Sequence, residues 1–467
     1  MITFFYDETS DVPKYVQLYR HIKSEIECGH LHYKEKMPSK RKLAEHLNMS
    51  AVTVETAYSQ LVAEGYLKSV EKSGYYVDIT GFPFTTKGKE EDIQKSFVRD
   101  DEHYLYDFRT NVVDTTLFPY SIWSKLTRWV LAENKEEILN FTHPQGLRCL
   151  REQIALYLSR FRGIEASADQ IIVGAGSEML YHLVIQLLGR ENLYATENPG
   201  YGKMKQILMN NDCRHINIDL DESGVSLTQL IKSNANVVHL TPSHQFPTGI
   251  VMPIKRRIEL LEWAYQAKNR FIIEDDYDSE FAAGIQPIPA LQGIDQQDKV
   301  IYLNTFSKSI APTLRIGYLV LPKSLLSLYQ EKQSYGACTV PNFEQMILTK
   351  FMQEGYFESH LNRMRKAYKK RRDVLINALV DNHIVGKNAI YGEDAGLHFI
   401  INMNHRYNEK VLIALAKTES VRIYGLSEYY VGTLPEAKTV LILGYSGLSE
   451  NQIIEAVKNL KQAWQIE

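Results

Sequence analysis

The stretch NTFSKSIAPTLRIGYL, residues 304–319, brings a lysine and an arginine into one short segment. A strand-like run, KVIYLNTF, ends at a turn that presents Thr305, Ser307 and Lys308, and Arg315 follows seven residues after the lysine. A lysine sheltered from water can lose its proton and attack a carbonyl. An arginine keeps its charge and offers a planar fork that fits a phosphate. Together they describe a phosphate-and-aldehyde site with Lys308 as the nucleophile. A Ser-Lys pair standing alone is usually solvated surface, so the reading depends on partners elsewhere in the chain.

Those partners come from separate segments. Gly174-Ala175-Gly176-Ser177-Glu178 lies between a strand-like run and a helix-like one. Backbone N–H groups at a helix start suit a phosphate, which gives Gly176 and Ser177 that task. FIIEDDYDSEF ends a hydrophobic run in Asp275, Asp276 and Tyr277. A carboxylate at the end of a buried strand is costly without a partner. Tyr201 in ENPGYGK and His244, Gln245 and Phe246 in TPSHQFPTG are further polar or aromatic groups near predicted strand ends.

The elements that must position these residues alternate. IIVGAG, NLYATENP, NVVHLTPS, FIIEDDYD, VIYLNTF and IGYLVLP read as strands, with helices such as EMLYHLVIQLL and IKRRIELLEWAYQAKN between them. This predicts an α/β unit with a mostly parallel sheet over residues 106–335. From 336 to 467 the chain is richer in helices and ends in short strands around HFIINM and VLILGY, a smaller α+β subdomain. Residues 81–105, with Gly81, Pro83, Gly88 and mixed charge, read as a solvated linker.

Residues 1–80 have another period. Tyr15, Leu18, Tyr19, Ile22 and Ile26 recur at helical spacing. Pro38 and Ser39 open a second helix, and Ser50 can cap a third that carries Val52, Val54, Ala57, Tyr58, Leu61 and Val62. Two short strands, YLKSV and GYYVDI, follow. Three helices and a hairpin make a winged helix-turn-helix, whose third helix enters the major groove of double-stranded DNA. Lys34, Lys36, Lys40, Arg41 and Lys42 gather positive charge at the start of the second helix, although nearby glutamates offset much of it.

The 467 residues suffice for about three domain-sized units. Hydrophobic residues make up 44% and charged ones 23%, with net charge −3, so the chain as a whole is not polybasic. Cys28, Cys149, Cys213 and Cys338 lie far apart and form no metal or redox spacing, which fits a reducing cytoplasm. The start, MITFFYDETSDVPKY, lacks the features of a signal peptide, and no apolar run approaches the ~18 residues of a membrane span. No metal and no membrane are expected.

The first segment resembles the GntR family of bacterial transcription regulators, through Pro38-Ser39-Lys40-Arg41-Lys42-Leu43-Ala44, Ser50 with Thr53-Val54, Ala57-Tyr58, Glu64-Gly65 and Ser73-Gly74-Tyr75-Tyr76-Val77. The resemblance implies DNA contacts from Ser39, Lys40, Arg41, Ser50, Thr53 and Thr56, with Lys72 and Ser73 at the wing. Ala51 departs from a frequent arginine. Residues 106–465 resemble fold-type I enzymes that use pyridoxal 5′-phosphate (PLP), the aspartate aminotransferase superfamily. That implies a Schiff base on Lys308, Tyr201 stacked on the pyridine ring, Asp275 on the ring nitrogen, Tyr277 on the ring hydroxyl, Gly176, Ser177 and Arg315 on the phosphate, and Thr305 and Ser307 among the cofactor-binding residues. Phe246 stands where an asparagine would touch the ring hydroxyl, leaving His244 or Gln245 to compensate. Ile442 stands where an arginine would hold a substrate carboxylate; Lys203 or Arg422 could take that task. Phe141 replaces a tyrosine that reaches the partner subunit's phosphate. Joined, the two halves resemble the MocR (PdxR) architecture: a cytoplasmic PLP-dependent regulator, dimeric with large domains head to tail, answering to PLP alone or with an amino-acid-like effector. An aminotransferase with an appended winged helix is the alternative.

Overall fold

The computed structural model describes residues 4, 6, 12–79, 104–110, 112–133, 135–282, 289–432 and 439–466. The chain divides into two compact units, Met1–Glu102 and His103–Glu467. The expected linker lies outside the described residues except at 104 and 105.

In the first unit, helices α1 (Lys14–Glu27), α2 (Lys40–His46) and α3 (Ala51–Ala63) precede an antiparallel hairpin, β1 (Leu67–Val70) and β2 (Gly74–Val77). Ser39 caps α2 by accepting from the Lys42 N–H, and Ser50 caps α3 by accepting from the Thr53 N–H at 3.1 Å. Such caps contribute about 1 kcal/mol each. Leu18, Ile22, Leu43, Val54, Ala57, Tyr58 and Leu61 form its core. The Tyr58 hydroxyl donates to the Pro38 carbonyl at 3.0 Å, which ties α3 to the entry of α2. Val52 points away from this core and is 69% exposed.

The second unit holds β3 (Tyr106–Asp107), β4 (Ile171–Gly174), β5 (Leu193–Asn198), β6 (Arg214–Asp221), β7 (Gly224–Val225), β8 (Val237–Leu240), β9 (Phe271–Asp275), β10 (Val300–Thr305) and β11 (Gly317–Val320). All but β3 form one sheet in the order β4-β11-β10-β9-β8-β5-β6-β7. The pairs β10–β9, β9–β8, β8–β5 and β5–β6 are parallel, whereas β11 runs antiparallel to both neighbours. The six strand-like runs read from the sequence are β4, β5, β8, β9, β10 and β11. β6 escaped that reading because RHINIDLD alternates polar and apolar residues near the sheet edge, where one face is half-buried.

The C-terminal part carries β12 (Ile390–Tyr391), β13 (His398–Met403), β14 (Val421–Arg422), β15 (Tyr424–Gly425) and β16 (Thr439–Gly444). β12, β13, β16 and β15 make an antiparallel sheet, while β14 pairs with β3. Its core joins β13 and β16 to the helices Tyr356–Asp381 and Glu450–Ala463 through Leu375, Phe399, Leu441, Val457 and Trp464. No helix among the described residues is long and apolar enough to cross a membrane.

Candidate cofactor site and nucleic-acid interface

The parallel strands β5, β8, β9 and β10 end on one edge, as does β4, and ligands of open α/β sheets bind outside such carboxyl ends. Asp275 closes β9, Thr305 closes β10 and Gly174 closes β4. The turn after Thr305 is the short helix Phe306–Ser309, on which Ser307 and Lys308 are half-buried. Desolvation pushes the Lys308 ammonium down to about 7, the cations Arg109 and Lys203 reinforce the drop, and Asp278 opposes it. An ε-amine with that pKa is largely neutral just above pH 7 and is a competent nucleophile.

The three acids at the end of β9 divide their work. Glu274 accepts from the Leu291 and Gln292 backbone N–H groups at 2.8 and 2.9 Å. Asp276 is held by Arg162 at 2.8 Å, by the Tyr302 hydroxyl at 2.6 Å and by Ser279 at 2.8 Å. Asp275 accepts from the Tyr181 hydroxyl at 2.5 Å, with His239 Nε2 3.7 Å away. One Asp276 oxygen is therefore engaged inside the fold by three side chains, and Asp275 is the carboxylate that closes β9.

Behind Tyr277 lies a buried cluster. The Tyr277 hydroxyl and an Asp278 carboxylate oxygen each sit 2.9 Å from His244 Nδ1. Burial keeps the Tyr277 phenol well above its ordinary pKa. The His398 ring packs 4.7 Å from that of His244 and its Nε2 lies 3.1 Å from the Pro247 carbonyl; burial, then His244, pushes its pKa well down. Gly396 covers the cluster, and any side chain there would collide with His244 and Asp278. Gln245 is spent differently: its Nε2 donates to the Pro199 and Phe246 carbonyls, and its Oε1 accepts from the Thr248 N–H and hydroxyl. Of the two groups expected to compensate for Phe246, His244 is the one placed on Tyr277.

The phosphate-binding candidates also converge. The helix Gly176–Leu188 begins at Gly176 with no side-chain cap, so its first N–H groups face outward beside Ser177. The Arg315 guanidinium lies over that start: a Cβ at Gly176 would fall 2.9 Å from its Cζ. Gly176 has φ +83°, a conformation natural to glycine. Arg315 itself has φ +52°, and its Nη2 lies 3.6 Å from Glu178. An arginine fork, a helix start, a lysine of lowered pKa and an available buried carboxylate fit a phosphorylated pyridine aldehyde. The Tyr201 ring meets Phe246 edge-on at 6.1 Å, and Phe246 meets Tyr277 at 6.0 Å and Tyr429 at 5.1 Å.

The residues around the expected carboxylate grip have changed. Ile442 is fully buried in β16, in register with Ile400 and Tyr424. Lys203 pairs with Glu178 at 3.1 Å, and Arg422 is engaged with the rings of Tyr104 and Tyr424.

In the first unit, Ser39, Arg41, Ser50, Thr56 and Lys72 are exposed; Lys40, Thr53 and Ser73 are half-buried. Lys40 is paired with Glu55 of α3. Thr56 donates to the Val52 carbonyl at 2.9 Å, and Ser73 bonds Tyr76 at 2.7 Å. Seven of these residues lie at the starts of α2 and α3 and at the hairpin turn, and Thr56 lies in the second turn of α3.

Comparison with known proteins decides the affiliation. Residues 14–77 match the gntR family of bacterial regulatory proteins, and residues 114–460 match aminotransferase class I and II. A HTH-type transcriptional regulator of Bacillus subtilis, YdeL, is 39% identical over 467 residues, all of both chains. The chain belongs to the GntR-type regulators that carry an aminotransferase class I and II domain. This is the MocR architecture expected from the sequence. The pyridoxine biosynthesis regulator PdxR of Corynebacterium glutamicum is 29% identical over 96% of this chain and 94% of its own. Among solved structures, the multiple substrate aminotransferase of Thermococcus profundus superposes with a TM-score of 0.67 at 25% identity, over 79% of this chain and 92% of its own. The protein is a PLP-dependent, DNA-binding transcription regulator.

The sequence reading missed Tyr181, His239, Asp278 and Arg109. His239 had a signal, a polar residue inside the apolar strand VVHL. Tyr181 had none, being one buried residue among the apolar ones of its helix.

Proposed function

We propose that the cofactor is the regulator's sensor. Lys308 captures its aldehyde, Arg315, Ser177 and Gly176 hold its phosphate, and Thr305 and Ser307 line the same turn. Asp275 meets the ring nitrogen, Tyr277 the ring hydroxyl with His244 behind it, and Tyr201 the ring face. PLP bound there is an electron sink; in this chain that property serves recognition. The observation that carries the reading is the pairing of a lysine whose pKa falls to about 7 with a buried Ile442 where the carboxylate grip of an amino-acid enzyme is expected. The protein therefore binds the cofactor without ordinary amino-acid turnover. The relative that regulates pyridoxine biosynthesis supports vitamin B6 or amino-compound metabolism as the process controlled.

The regulator works as a homodimer, with Ser39, Lys40, Arg41, Ser50, Thr53, Thr56, Lys72 and Ser73 on the operator. Leu139 and Phe141, 87% and 100% exposed, mark the partner-facing surface. Titration of apo-protein with PLP, read by visible absorption, tests the cofactor assignment. Wild type develops the absorption band of a lysine-linked cofactor, and Lys308→Ala does not. A band retained in the variant would overturn it.

A further inference from the structure

We propose that Val52 and Glu55 of α3 read bases in the operator, Val52 the methyl group of a thymine and Glu55 the amino group of a cytosine. The proposal rests on the operator reading above and adds the base pairs that this helix accepts.

α3 presents one face to solvent. Ala51, Val52, Glu55, Thr56 and Ser59 are exposed, while Val54, Ala57, Tyr58 and Leu61 are buried. The exposed residues recur three or four positions apart and so share a side of the helix. In a helix-turn-helix the N-terminal residues of the recognition helix meet base edges. The helix AVTVETAYSQLVA holds no lysine, arginine or histidine. It therefore lacks the side chains that pair with the O6 and N7 acceptors of guanine.

The hydroxyl groups at the start of α3 are spent on the helix itself. Ser50 accepts from the Thr53 N–H at 3.1 Å and bonds the Thr53 hydroxyl at 2.8 Å, and Thr56 donates to the Val52 carbonyl at 2.9 Å. Ala51 reaches no further than its Cβ. Val52 and Glu55 keep unspent chemistry. Val52 is an aliphatic side chain 69% exposed, and its methyl groups match the C5-methyl that thymine carries in the major groove. Glu55 lies one turn on. Its Oε1 is paired with Lys40 of α2, and its Oε2 has no partner among the described residues. A carboxylate only accepts hydrogen bonds. Cytosine offers it the N4 donor, whereas guanine presents two acceptors and adenine sets the N7 acceptor beside its donor. Lys40 keeps a cation beside the carboxylate, which offsets its repulsion from the phosphates. Three residues of helix span about 4.5 Å, and stacked bases are about 3.4 Å apart. The thymine and the cytosine therefore lie within two base pairs of each other.

The test uses the full-length protein, with and without PLP, and duplexes that wild type selects from a randomised library. The selected half-site contains a thymine and a cytosine within two base pairs of each other. Exchanging each thymine in turn for deoxyuridine removes only its methyl group. At one position this lowers wild-type affinity about fourfold, the worth of one buried methyl group, and it does not affect Val52→Ser. Glu55→Gln exchanges the preferred C·G pair for A·T at one position, because glutamine matches adenine, with discrimination of about tenfold. A selection that yields no such half-site overturns the proposal. So does a methyl effect that is absent from wild type or equal in Val52→Ser, and so does a Glu55→Gln protein that keeps the wild-type base preference. Binding to a fixed unrelated duplex at low salt, recorded on each sample, separates the two readings. Retained binding there without the base signature removes only Val52 and Glu55 from the account, whereas a wild type that binds no duplex removes the operator reading itself.

Discussion

At the residue scale, Lys308 gives the site its pH dependence. Its pKa is lowered from 10.5 to about 7 by burial, and only the neutral amine attacks an aldehyde. Below pH 7 the amine is mostly protonated and capture is slow; above it the neutral fraction approaches one. Stopped-flow absorbance of PLP capture should therefore rise with pH with a midpoint near 7. A midpoint near 10 would mean the lysine is solvated. The choice between Asp275 and Asp276 was legible in the sequence only through likeness to a family. The physical reason is tertiary: Arg162, Tyr302 and Ser279, all distant or outside the strand pattern, claim Asp276. The approach of residues 108–110 to Gly444 was not legible either, because nothing in a linear reading brings the two segments together.

At the element scale, the proposal makes the helix start Gly176–Leu188 and the turn holding Arg315 one phosphate cradle, since the Arg315 guanidinium lies over Gly176. Gly176→Ala would strain a backbone at φ +83° by about 1 kcal/mol and put a methyl group 2.9 Å from the Arg315 Cζ. Calorimetry should show PLP affinity falling by at least tenfold while the rest of the fold is kept; unchanged affinity would mean the phosphate lies elsewhere. Most of the elements could be read directly. Apolar runs bounded by turns gave six of the sheet strands, since a strand buried on both faces carries a continuous hydrophobic signal. β6 failed that test because its half-solvated face interrupts the run. The winged helix was readable from the caps Ser39 and Ser50 and the 3.6-residue spacing around them.

At the scale of the whole molecule, a sensor must couple its ligand to the DNA-binding modules, and a ligand shifts an arrangement only by binding one arrangement better than another. The dimer is part of that account. Sedimentation equilibrium of wild type should return twice the chain mass, and Leu139→Asp with Phe141→Asp should shift it toward the monomer; an unaltered dimer would place the interface on another surface. The central claim is that cofactor on Lys308 alters operator binding. The most direct measurement is the affinity of the pure protein for DNA from upstream of its own gene, at fixed salt because phosphate contacts make affinity salt-dependent. It is made without PLP, with PLP, and with PLP plus an amino-acid panel. The account predicts an affinity change of at least fivefold on adding PLP or PLP with an amino acid, roughly 1 kcal/mol of coupling, and its loss in Lys308→Ala. DNA binding that is the same in every condition, or a response that survives Lys308→Ala, would contradict it.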